Sequence, residues 1–199
     1  MRLVPGFVSS FLIAILWISQ PSFAVPLEYK IEGLGFGNYG GNSFQMAPLT
    51  LIANADSESL VSLGENAALV ANASLTIEIE GVGFGLFTSN TETIWNGDLN
   101  RVGFGISGSD GVVRSIVAVE NALFESYDIT TSLPTTPGAS SFDGSYSFPT
   151  TFGELSWYSV LNPTVTTTIL PEPANLAPLL PIFVLCLMCR RSVWLISGT

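Results

Sequence analysis

The chain has 199 residues, with sixteen acidic against six basic side chains, two cysteines and no histidine. The missing imidazole excludes Ser-His-Asp and Cys-His nucleophilic catalysis, histidine zinc sites and imidazole acid–base chemistry. A formal charge of −10 excludes nucleic acid as a partner, because its phosphates must be neutralised by cations.

Read in chain order, the sequence opens on an export signal. Arg2 is a positive start, and Phe7–Ile18 (FVSSFLIAILWI) is a short apolar run. Ser22-Phe23-Ala24 then places small residues at the third and first positions before a signal-peptidase cut. Residues 1–24 are read as a signal peptide, cleaved between Ala24 and Val25. The apolar run is shorter than the ~20 residues a membrane span needs, which argues against a retained anchor.

From residue 25 onward, short strands alternate with Gly, Asn, Ser and Pro. Strands are expected at Leu27–Phe36, Pro48–Asn54, Leu75–Glu80, Thr91–Trp95, Val112–Glu120, Leu123–Thr130, Ser145–Pro149, Glu154–Leu161 and Val165–Ile169. Leu75, Ile77 and Ile79 share one face of their strand, and Glu78 and Glu80 the other. In Leu123–Thr130, Glu125 interrupts an apolar face made of Leu123, Tyr127 and Ile129. Turns are expected at Asn96-Gly97-Asp98, Ser107–Gly111, Pro134–Ser141 and Asp143-Gly144. Only Ser57–Val70 carries a trace of helical spacing. Residues 25–169 are therefore expected to form one all-β domain, an antiparallel β-sandwich or jelly roll. It is large enough to bury a core without disulfides.

A glycine motif recurs as Gly33-Leu34-Gly35-Phe36-Gly37, Gly81-Val82-Gly83-Phe84-Gly85 and Val102-Gly103-Phe104-Gly105. Alternating Gly and Phe leaves one strand face bare and places Phe36, Phe84 and Phe104 on the other. The bland explanation is a bend or a close backbone approach. The functional one is a surface where polysaccharide stacks on phenylalanine. A phosphate-cradling loop needs a different glycine spacing at the start of a helix.

The other constellations point to little chemistry. Glu78 and Glu80 lie about 7 Å apart on one strand face, whereas a glycosidase needs two carboxylates flanking a bond in a cleft. Asp98 with Asn100, Asp110 and Asp143-Gly144 offer oxygens that a calcium ion accepts, but none follows the EF-hand spacing. These are also ordinary turn residues. Trp95, Trp157 and Tyr158 are either core or a sugar platform. No cofactor is therefore expected, with calcium as the one alternative.

The tail is more telling. Leu170-Pro171-Glu172-Pro173 precedes an apolar run, Ala174–Cys189, and the pair Arg190-Arg191. Sixteen residues make about 24 Å of helix, somewhat short of a ~30 Å hydrocarbon core. Pro178 and Pro181 fit only near its first turn. Arg190 and Arg191 belong on the cytoplasmic side, leaving the body outside, as the export signal also requires. Cys186 and Cys189 spell C-x-x-C, but within this run they read as small apolar residues. Removing residues 1–24 and everything beyond Pro173 leaves three basic residues, Lys30, Arg101 and Arg114, against all sixteen acids, a balance of −13.

The Pro171-Glu172-Pro173 element, the apolar run and the basic stop resemble the PEP-CTERM sorting signal of Gram-negative exported proteins. The resemblance covers about thirty residues, 170–199. It implies recognition at Pro171, Glu172 and Pro173 by an exosortase, a membrane-embedded protease or transpeptidase that cuts nearby. It also implies a transient span over 174–189 with Arg190 and Arg191 as the stop. One departure is Ser192–Thr199 after the arginines, where family members usually end sooner. A sortase signal would need Thr-Gly where Pro173-Ala174 stand, and a GPI signal calls for no basic stop. The stretch Tyr127–Leu133 (YDITTSL) also resembles a segment common in the bodies of such proteins.

The resulting expectation is a non-enzymatic surface or matrix protein. Its partners would be signal peptidase, an exosortase and exopolysaccharide. The alternative is a carbohydrate-binding module on the same scaffold.

Overall fold

The computed structural model of the protein describes residues 24–108, 113–142, 144 and 146–171. In chain order the strands are β1 (Pro26–Tyr39), β2 (Asn42–Ser62), β3 (Ala67–Ile79), β4 (Gly83–Leu86), β5 (Thr91–Asn96), β6 (Arg101–Ser107), β7 (Val113–Glu120), β8 (Leu133–Pro137), β9 (Ala139–Ser141), β10 (Phe148–Thr150) and β11 (Gly153–Ile169). A 3-10 turn at Ala122–Phe124 follows β7. The described strands form one antiparallel sheet in the order β10-β11-β1-β2-β3-β5-β6-β7-β9, with β4 added to β3 and β8 to β11.

The sheet is nearly closed on itself. At one end β8 pairs with β11, Ser140 Oγ donates to the Val160 carbonyl (2.6 Å) and Gly138 N to the Pro163 carbonyl (3.0 Å). At the opposite end a Phe87–Thr150 bridge and a Thr151 N–Leu86 O bond (2.9 Å) join β4 to β10. The alternating apolar residues of the long strands point into the enclosed space. They include Tyr29 and Ile31 of β1, Leu49 and Leu51 of β2, Leu75 and Ile77 of β3, and Leu155 and Trp157 of β11. Each large side chain so buried contributes about 1.5–3 kcal/mol, and this replaces the disulfides the body lacks.

The all-β antiparallel reading of residues 25–169 therefore holds, with boundaries redrawn where local signals misled. Leu123–Thr130 is not a strand. The Asn121 side chain accepts from Leu123 N (2.9 Å), and Asp128 Oδ1 accepts from Thr130 N (2.9 Å). Both are local Asx bonds that compete with a ladder. Ser57–Val70 is not helical but holds the end of β2, a turn and the start of β3. Pro134–Ser141, expected as a turn, contains β8 and β9; β8 lies at an edge, where proline is tolerated. In place of Ser145–Pro149 the strand is β10.

Glu154–Leu161 and Val165–Ile169 are one strand, because the intervening Asn162 and Pro163 form a bulge. Leu34 pairs with Leu161 and Glu32 with Thr164, while Asn162 takes a φ of 48°.

Candidate functional site

The first and last strands of the body are neighbours. Leu27 pairs with Ile169, and Leu170 N donates to the Pro26 carbonyl at 2.9 Å. Val25 N donates to Ser57 Oγ (2.9 Å), and Ser57 N returns a bond to the Val25 carbonyl (3.1 Å). The two expected processing points thus leave the same end of the fold side by side. Ala24 and Val25 are half-buried there, and Pro171 is exposed. Glu172, Pro173, Arg190 and Arg191 lie outside the described residues, as do both apolar runs. Among the described residues no helix is long and apolar enough to cross a membrane.

A second feature arises from the first glycine motif. Between β1 and β2 the register slips between Gly35 and Phe36, leaving Met46 unpaired with a φ of 53°. Between β1 and β11 it slips between Phe36 and Gly37, leaving Tyr158 unpaired. Phe36 is therefore flanked by a bulge on each side, and bulges re-aim side chains. Met46 and Tyr158 are 55% and 68% exposed, and Phe36 is half-buried between their strands. Asn38 Nδ2 donates to the Tyr158 hydroxyl, and Ser43 Oγ donates to Asn38 Oδ1. Two strand spacings make this patch about 10 Å wide, the size of a sugar ring or two. Sequence reasoning marked Phe36 and Tyr158 separately and missed Met46. Nothing in the letters of β2 signals its bulge.

The glycines explain why Phe36 turns outward. A Cβ on Gly35 would lie 2.6 Å from Leu49 Cδ2 and 2.9 Å from Phe44 Cε2. The interior is filled by Phe44 standing edge-on to Trp157, with ring centres 6.2 Å apart. The second copy behaves alike: Phe152 covers Gly83, and Phe84 is 61% exposed. In β6 the faces are reversed, with Val102 and Phe104 in the core and Gly103 on the opposite face of the strand.

The remaining candidates do not assemble. Trp157 is buried, and Trp95 is half-buried with its Nε1 donating to the Phe124 carbonyl (2.6 Å), so both belong to the body's interior and Tyr158 does not join them. Glu78 and Glu80 are exposed, as expected. Asp98 and Asn100 line an open polar depression with Asn66, Glu125 and Ser126, where Asn66 Nδ2 donates to Asp98 Oδ1 (2.8 Å). Asp110 and Asp143 lie outside the described residues. Among the described residues no three acidic, histidine or cysteine side chains come together as a metal site.

The Tyr127–Leu133 segment has a packing role. Tyr29 donates to the Ile129 carbonyl (2.6 Å), while Tyr127 donates to the Thr131 carbonyl (2.9 Å) and shares a bond of the same length with the Thr167 hydroxyl. Burial pushes the Tyr127 phenol up to about 12, against a lowering by the Thr167 bond. Burial raises Tyr29 further, helped by the charges of Tyr127 and Asp128. These phenols are anchors that pack the end of the nearly closed sheet, not acid–base groups poised near neutral pH.

Compared with known protein families, with curated proteins and with solved structures, the chain matches none.

Proposed function

We propose that this is an exported, non-enzymatic surface or extracellular-matrix protein. Its β-sandwich-like body, residues 25–169, is held at the inner membrane by the 170–199 tail and then released. Signal peptidase would cut between Ala24 and Val25, and an exosortase-like enzyme near Pro171-Glu172-Pro173. The order of Pro-Glu-Pro, apolar run and Arg190-Arg191 carries the reading. First and last strands meet in many closed sheets, so their pairing alone names no function. Its contribution is geometric: a body whose two ends leave together can be tethered through either without unfolding β1 or β11.

Intact mass of the protein from membrane and extracellular fractions of its native host tests this. A species running from Val25 to the neighbourhood of Pro173 is expected outside the cell. A tail persisting to Thr199 in every fraction would sink the sorting reading.

The second reading is carbohydrate binding by the Met46–Phe36–Tyr158 patch, favoured by the exposed Tyr158 ring that Asn38 holds in place. Retention on the producer's polysaccharide should drop on Tyr158→Ala. Unchanged retention would remove the patch from consideration. The depression around Asp98 and Asn100 is the place to look for a calcium effect on that retention.

A further inference from the structure

The end of the fold from which both chain termini leave is also fringed with apolar side chains. β2 runs past the start of β1: Pro26 pairs with Asp56, yet β2 continues to Ser62. Along this overhang β2 has no neighbour on the β1 side among the described residues, and Leu60 and Val61 are 42% and 50% exposed. Their partners on β3 are Val70, which faces the core, and Leu69, so the overhang is apolar on both faces. Leu63 extends the fringe into the turn and is 55% exposed.

Two further loops bring leucines to the same level. Gly97 N donates to the Asn66 carbonyl (2.8 Å), and Asn121 N to the Asn100 carbonyl (2.9 Å). These bonds lock the β2–β3 turn, the β5–β6 turn and the 3-10 turn together. Leu99 and Leu123, at the tips of the latter two, are more than half exposed.

Among the described residues these five stay more than two-fifths exposed, whereas Leu27, Leu51 and Ile77 of the same sheet are buried. The chain continues from this end at Ala24 and at Pro171 toward the apolar sequences 7–18 and 174–189. We infer that Leu60, Val61, Leu63, Leu99 and Leu123 form a lipid-facing fringe, which rests the body on the bilayer surface while its tail is inserted. The inference rests on the tethered reading above.

Two features define the depth and the lipid. The open edge of the β2 overhang carries backbone groups that need water, so the fringe reaches the headgroup level and not the hydrocarbon. Glu58, Glu65, Asp98 and Glu125 are exposed among the leucines. Their charge selects zwitterionic headgroups over anionic ones.

The test uses the full chain with Cys186→Ser and Cys189→Ser, labelled through Leu63→Cys with an environment-sensitive fluorophore. It is reconstituted into phosphatidylcholine–phosphatidylethanolamine vesicles carrying a lipid-borne quencher. A second chain is labelled through Phe84→Cys on the exposed face of β4. Blue-shifted, quenched emission at position 63 but not at 84 is expected, weakening when anionic lipid is added.

Vesicle flotation with an unquenched label at 63 would overturn the fringe and leave the tether standing. Failure to float would overturn both. A blue shift in vesicles that grows with the protein-to-lipid ratio and is not relieved by the lipid-borne quencher would assign the fringe to contact between copies of the chain, and so overturn the lipid assignment. Slower amide exchange at 60–66 in vesicles than in detergent provides a readout independent of the label.

Discussion

Gly35-Phe36-Gly37 in β1 and Gly103-Phe104-Gly105 in β6 are the same letters turned inside out. In β1 the glycines face the core, where Phe44, Leu49 and Trp157 close over them, and Phe36 looks outward. In β6 the phenylalanine is 1% exposed, and Gly103 lies against β7, where a Cβ would come within 2.5 Å of Ala118 Cα. Both copies sit at register slips, with Met46 and Tyr158 displaced around the first and Ile116 opposite the second. The repeat is therefore a device for close backbone approach. An exposed aromatic surface arises only where the ring is left outside.

That contrast can be broken most forcefully at Phe104. Phe104→Ala should cost about 3–5 kcal/mol in urea unfolding, as for a buried aromatic leaving a cavity. A loss as small as at an exposed site would mean that the β6 orientation is wrong. Next come the glycines. Gly37→Ala and Gly103→Ala would push a methyl against the Ser156 and Val117 carbonyls, respectively. Each should destabilise by about 1–3 kcal/mol, because backbone on a neighbouring strand must move.

A pH series sharpens the picture of both ends of the fold, because burial raises the phenol of Tyr39 at the far end of β1 as it does those of Tyr29 and Tyr127. A phenol whose folded pKa is raised keeps its proton after the unfolded chain has lost its own, so the unfolded state binds fewer protons. Stability should be unaffected by Tyr29, Tyr39 and Tyr127 below the ordinary tyrosine value near 10. It should fall as pH rises from there toward about 12. Phenolate absorbance of these three should appear together with loss of the fold. Early titration of any of them without unfolding would place it outside the core. The smallest effects belong to the outward aromatics: Phe84→Ala and Tyr158→Ala should each stay within about 0.5 kcal/mol of wild type.

Some of this was legible in the letters because it is local. The alternation of Leu75, Ile77 and Ile79 with Glu78 and Glu80 needs only the two-residue pleat, and the fold keeps those faces as read. The same local reading overreached at Leu123–Thr130, where Asn121 and Asp128 satisfy backbone groups that a strand would have offered to neighbours. It also split β11 at Asn162-Pro163, because a bulge and a strand end use the same residues.

The sequence by itself determined an all-β body without histidine or cysteine, strongly acidic and bounded by two apolar segments, since these follow from composition and short-range periodicity. Only the tertiary structure decided which face of each glycine motif is inside, that Tyr158 and Met46 flank Phe36, and that Ala24 and Pro171 share one end with Leu60, Val61, Leu63, Leu99 and Leu123. Those facts depend on register between strands far apart in the chain. Register is set by how the whole core closes, and no residue carries it alone.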